Sequence, residues 1–170
     1  LNTAKIESNK FSYDFKPTDI VSFAEKSVLE LSFLAKEKSV NLIFEKGADN
    51  IPNIKADSNK LGMALGNLID NAVKYTPSGG IVKVSLARKN SFAEISVSDT
   101  GMGIPEAERG KVFSKFFRAS NASKTDFVGT GLGLFIAYRI VLDHGGQMRF
   151  LPNSPSGSIF SFSVPLSNKY

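Results

Sequence analysis

Apolar residues recur at steps of three and four from Ile20 through Phe23, Ala24, Val28, Leu31 and Leu34 to Ala35. That period predicts an amphipathic helix, with Thr18 or Asp19 as its N-cap and an end near residue 38. Leu61, Ala64, Leu65, Leu68, Ile69, Ala72 and Val73 repeat the pattern. They predict a second helix over about 59–75, capped by Asp57 or Ser58 and stopped by Thr76-Pro77-Ser78-Gly79-Gly80. A third helix is predicted over 132–143, ending at Gly145-Gly146. Elsewhere the period falls to two. Residues 41–46 read as a strand, 81–88 and 92–98 as a hairpin around Lys89-Asn90-Ser91, and 147–151 and 159–164 as two further strands. Residues 54–56 form a short extended piece. Residues 10–18 alternate around Phe11, Tyr13 and Phe15, meet Pro17, and read as an extended linker. Leu1, Ala4 and Ile6 mark the tail of a helix whose body has been cut away. Residues 99–131 are rich in Gly and polar side chains and hold one short predicted helix, 106–113. The fold class expected is α+β, a two-layer sandwich with helices on one face of a mainly antiparallel sheet.

The 170 residues fit one domain, and 42% apolar content supplies a core. No apolar run approaches the ~20 residues of a membrane span. The first residue is not Met and no signal peptide is visible, so the sequence reads as a piece of a longer protein, with any membrane anchor upstream. The chain has no cysteine, which excludes disulfides and thiolate metal sites and fits a cytoplasmic protein. The net charge of +5 is scattered rather than clustered, which argues against nucleic acid as a partner. His144 is the only histidine, which disfavours zinc enzymes and Ser-His-Asp hydrolases. Its place before Gly145-Gly146 suits a helix C-cap.

Three features carry chemistry. On the second helix, Asn67, Asp70, Asn71 and Lys74 share a polar face, with Tyr75 beside it. Two Asn one turn apart are poor helix formers, and their carboxamide oxygens suit a hard cation such as Mg²⁺. Lys74 adds a charge for phosphate and Tyr75 a ring that can stack on a base. The alternative is a plain solvated face. Next, Asp99-Thr100-Gly101-Met102-Gly103-Ile104 follows a strand, and Asp99 at the strand end can accept from an exocyclic amine. Third, Gly129-Thr130-Gly131-Leu132-Gly133-Leu134 leads into a helix, which makes an anion site from free N–H groups and the helix dipole. Neither common phosphate loop fits. The third Gly comes one residue too early for a dinucleotide fingerprint. Gly110-Lys111 is followed by Val112, with Pro105 where a P-loop needs Gly.

In this order, the features resemble the catalytic and ATP-binding domain of sensor histidine kinases, a branch of the GHKL ATPase superfamily. Residues 67–75 resemble its N box and residues 99–103 its first glycine box. Residues 113–118 resemble its F box, Gly129–Leu134 its second glycine box, and Gly157-Ser158-Ile159-Phe160 its last, with Ser where Thr is commoner. Residues 1–16 resemble the end of the dimerisation helix and its linker, leaving 17–170 as the catalytic domain.

The resemblance implies the Bergerat fold: about five strands, three helices on one face, and a long ATP lid, roughly residues 104–130. It implies ATP and Mg²⁺ as ligands. Asn71 would hold the metal, supported by Asn67; Lys74 and Arg118 would contact phosphates; Asp99 would bond the adenine amino group, with Tyr75 against the ring. Gly101, Gly103, Ile104, Gly129, Thr130, Gly131, Leu132, Gly133, Leu134 and Ser158 would complete the nucleotide site. Among the basic lid residues Lys111, Lys115, Arg118 and Lys124, some would face the triphosphate, with Lys124 better read as solvated. Phe113, Phe116 and Phe117 would be lid packing. The phosphoacceptor histidine would lie upstream of residue 1, on the dimerisation domain of a homodimeric kinase that passes phosphate to a response regulator. Gyrase-, chaperone- and mismatch-repair-type members place a general-base Glu where Asn67 stands, so water activation is disfavoured. A serine kinase of the anti-sigma type and a non-catalytic nucleotide-binding module are the remaining alternatives.

Overall fold

The computed structural model describes residues 12–122 and 129–167. The helix tail expected at 1–9, and Lys124, lie outside the described residues. In chain order the elements are β1 (Lys16–Thr18), α1 (Ile20–Glu37), β2 (Asn41–Lys46), β3 (Ile54–Ala56), α2 (Ser58–Tyr75), β4 (Ile81–Lys89), β5 (Phe92–Asp99), a 3₁₀ turn (Glu106–Lys111), α3 (Gly133–Asp143), β6 (Gln147–Pro152) and β7 (Ser158–Pro165).

Five strands form one sheet in the order β2-β4-β5-β7-β6. β2 runs parallel to β4; every other pairing in this sheet is antiparallel. Alternation along the strands decides the two faces. Val82, Val84, Leu86, Ala93, Ile95, Val97, Phe160, Phe162 and Val164 are buried under the three helices. Ser85, Ser96, Ser98, Ser161 and Ser163 face the other way. The linker reading of residues 10–18 is extended by a small second sheet. β1 pairs antiparallel with β3, Lys16 opposite Ala56.

Local chemistry fixes the helices. Asp19 caps α1, accepting from the N–H groups of Val21 and Ser22. Asp57 caps α2, accepting from those of Asn59 and Lys60. At the other end of α2, the Lys38 ammonium donates to the carbonyls of Val73 and Lys74. A cation there opposes the negative end of the helix dipole. The helix expected at 106–113 is instead a 3₁₀ turn held by short-range bonds such as Glu108 N–H to Pro105 O. Six residues containing Gly110 are too few to propagate an α-helix.

Candidate functional site

α2 and α3 pack side by side, and the loops leaving β5 and entering α3 meet over the polar face of α2. Together they enclose a cavity of about 240 Å³. α2 contributes Asn67, Asn71, Lys74 and Tyr75, all partly exposed, while Leu61, Leu65, Leu68 and Ile69 of the same helix are buried. The two faces of one amphipathic helix thus serve the core and the cavity.

Asp99 ends β5 at the cavity wall and is 5% exposed. Its Oδ1 accepts from the N–H of Gly101 at 2.8 Å and of Ser158 at 3.2 Å. Burial pushes its carboxyl above the usual carboxylate range, and the two N–H donors only partly offset this. Gly103, Ile104, Ser158 and Phe160 continue this end of the wall. Gly101 does not line the cavity. It lies beneath the loop, where a Cβ would stand 2.5 Å from the carbonyl oxygen of Tyr75, so glycine lets the loop dock on the end of α2.

From the loop that enters α3, Gly129, Thr130, Gly131, Gly133 and Leu134 line the cavity, and Leu132 does not. Leu132 is the N-cap residue of α3, and no side chain caps that helix. The N–H groups of its first turn therefore have no capping side chain to serve. A Cβ on Gly133 would meet Asn67 Oδ1 at 3.1 Å, so glycine allows α3 to start close against the carboxamide face of α2. Asn67 and Asn71, the free helix end and the cations Lys74 and Arg118 share one cavity. Arg118 is exposed at its edge.

The expected phenylalanine packing divides. Phe113 stacks on Tyr138 at 5.1 Å and meets Phe160 edge-on. Phe117 is partly buried on the cavity wall. Phe116 departs from the expectation: it is 69% exposed, because its backbone is left-handed at φ 61° and Gly131 nests against that bend. Of the basic lid residues that are described, Lys115 stands over the Phe135 ring at 5.3 Å, and Arg118 is the one on the wall. Asp70, Ala72, Met102, Ala119 and Ala122 also line the cavity and were not among the expected site residues. Asp70 could have been found, since it shares the polar face of α2; Ala119 and Ala122 carry no chemical signal.

The donor set suits a hard cation held jointly with a ligand. Among the described residues no three His, Cys, Asp or Glu side chains gather into a metal cage. Mg²⁺ needs only one or two protein oxygens when phosphate and water supply the rest, and carboxamides provide them.

His144 is the C-cap residue of α3 and is buried. Its Nε2 accepts from the Asp57 N–H and its Nδ1 bonds the Ile140 carbonyl, so its role is structural.

The family model for histidine kinase-, DNA gyrase B- and HSP90-like ATPases matches residues 56–168. An adaptive-response sensory kinase SasA of Synechococcus sp. (strain CC9311) is 33% identical over 165 residues, covering 95% of this chain and 43% of the relative. This chain thus spans less than half the length of that relative. The mycobacterial sensor histidine kinase MprB superposes with a TM-score of 0.77 at 31% identity, over 88% of this chain and 97% of that structure. Full-length ShkA in complex with AMPPNP superposes with a TM-score of 0.81 at 27% identity, over 94% of this chain and 32% of that structure.

Proposed function

The chain belongs to the histidine kinase-, DNA gyrase B- and HSP90-like ATPase family, and from that premise we propose that it binds Mg-ATP in the α2–α3 cavity and supplies the γ-phosphoryl group to a histidine on a separate dimerisation domain. The supporting observation is convergence. The carboxamide helix, the buried Asp99 and the uncapped start of α3 all open on one cavity. Asp99 accepts from the adenine amino group, with Tyr75 beside the ring. Lys74, Arg118 and the first N–H groups of α3 take the phosphates. Asn71, supported by Asn67, holds Mg²⁺, which neutralises triphosphate charge. Phosphoryl transfer demands mainly positioning and charge stabilisation, which cations and fixed N–H donors provide. An imidazole nitrogen forms the new bond to phosphorus, the bond from the γ-phosphorus to the bridging oxygen breaks, and ADP leaves.

The acceptor is not in this chain, since its one histidine is committed to the α2–α3 junction. We place the working protein as a homodimer with its catalytic domain in the cytoplasm and a response regulator downstream. Among the described residues no helix is long and apolar enough to cross a membrane.

The test adds the dimerisation domain of the same kinase to this chain with Mg-ATP. Acid-labile, base-stable phosphate on that domain is the expected result. ATP binding without phosphohistidine would leave a nucleotide-binding regulatory module instead.

A further inference from the structure

The turn between β6 and β7 bonds Asp99 on the wall of the nucleotide cavity, and its Gly157 also lies against Gly103 of that wall. The β5–β7 ladder runs in register as far as Ser98 opposite Ile159. The next residues in register are Asp99 and Ser158, where the pattern changes. Ser158 gives its N–H to the carboxylate Oδ1 of Asp99. The Asp99 carbonyl oxygen instead accepts from the side-chain amide of Asn153, at 2.8 Å. A side chain therefore completes a sheet rung, which leaves the carboxylate turned toward the cavity.

Asn153 is itself held on both sides. Its N–H donates to Gly157 O at 3.1 Å, and its Oδ1 accepts from the Ser154 N–H at 2.9 Å. With a donor on Oδ1 and a carbonyl at Nδ2, the amide has one orientation that satisfies both. Gly157 lets the turn close in this way. At φ 108°, a Cβ there would stand 1.9 Å from the same Asp99 oxygen.

We infer that Asn153 is a positioning residue for nucleotide recognition: by holding the Asp99 backbone it sets the direction in which the carboxylate meets the base. The inference rests on the reading of Asp99 as the adenine-binding carboxylate. Asn153 does not line the cavity, and its side-chain amide acts on the wall through the bond to the Asp99 carbonyl.

Asn153→Asp isolates the contact. An Asp keeps the shape and the acceptor for Ser154 N–H, but puts an oxygen where the donor faced the Asp99 carbonyl. Calorimetry on this chain would compare ADP, GDP and Mg-tripolyphosphate, with Asp99→Ala in parallel. Asn153→Asp is expected to weaken ADP roughly five- to tenfold, narrow the preference for ADP over GDP, and leave tripolyphosphate within twofold. Asn153→Ala should show the same pattern. The inference is overturned if Asn153→Asp binds ADP within twofold of the parent while Asp99→Ala does not. It is also overturned if ADP and tripolyphosphate weaken together, since that marks general loosening. Should Asp99→Ala bind ADP as the parent does, the base-reading role of Asp99 fails first and takes the inference with it.

Discussion

The backbone N–H of Asp57 donates to Nε2 of His144 at 3.1 Å, tying the residue that starts α2 to the residue that ends α3. Because Nε2 accepts, the ring proton sits on Nδ1, which donates to Ile140 O at 2.7 Å. The Tyr13 and Phe15 rings close over the imidazole, and the Asp14 N–H reaches the Asp57 carboxylate. The junction holds the far ends of the two helices whose other parts frame the cavity.

His144→Ala should therefore cost stability more than binding. It strands a buried N–H, for which the penalty is about 1–3 kcal/mol. Urea unfolding should show a lower midpoint with an unchanged slope. ADP affinity of the folded variant should stay within about threefold, or some 0.7 kcal/mol. A binding loss larger than the stability loss would mean that the junction controls the cavity directly.

Asp99 should give stability and binding opposite pH dependences. Burial raises its folded-state pKa above the unfolded value. Between those values the folded chain keeps a proton that the unfolded chain has lost, so the Asp99 contribution to stability falls as pH rises through that window. Accepting from an amine needs the carboxylate, so ADP affinity should rise over the same window. The window starts at the ordinary carboxylate value near pH 4 and extends upward. Asp99→Asn should flatten both curves in paired thermal-melt and calorimetry titrations, and an unchanged ADP titration would remove the carboxylate from base recognition.

Most of the fold was legible because two periodicities, 3.6 and 2, separate cleanly along this chain. Apart from 106–113, which is a 3₁₀ turn, the expected helices and strands fell within a residue or two of their expected ends, and the N-caps were narrowed to Asp19 and Asp57 or an adjacent residue. What stayed hidden depends on contacts between distant segments. His144 could be read as a cap, but its bond to Asp57 joins residues 87 apart. The pairing of Lys16 with Ala56 also joins separate segments and turned part of a linker into a strand. Phe116 was expected to pack within the lid, yet a left-handed backbone turns it outward. In the site, polar and glycine positions carried a signal. Gly101 did so for a different reason from the one expected: it packs under Tyr75 rather than on the wall.

Asn71→Ala should remove the metal-dependent part of nucleotide binding. One carboxamide gives Mg²⁺ a single protein oxygen, so its loss should leave Mg-free ADP affinity within about twofold. The improvement that Mg²⁺ normally brings should disappear. Titrations of ADP with Mg²⁺ and with a chelator would show this as convergence of the two curves. Equal losses under both conditions would assign Asn71 to the nucleotide and not to the metal.

One substitution, Gly→Ala, should have opposite signs at two positions. At Gly157 the left-handed φ of 108° alone costs about 1–3 kcal/mol with any side chain. The added Cβ would also collide with the Asp99 carbonyl oxygen, so the end of β5 must shift and ADP affinity should fall with stability. Gly66 lies inside α2, where an added Cβ meets nothing within 4 Å. There alanine replaces the more flexible residue in a helix interior, a gain of about 0.5–1 kcal/mol. Gly66 is also absent from the cavity wall, so ADP affinity should be unchanged. Thermal melts of the two variants should move in opposite directions from the parent, and a stabilised Gly157→Ala would contradict the close packing of the β6–β7 turn on Asp99.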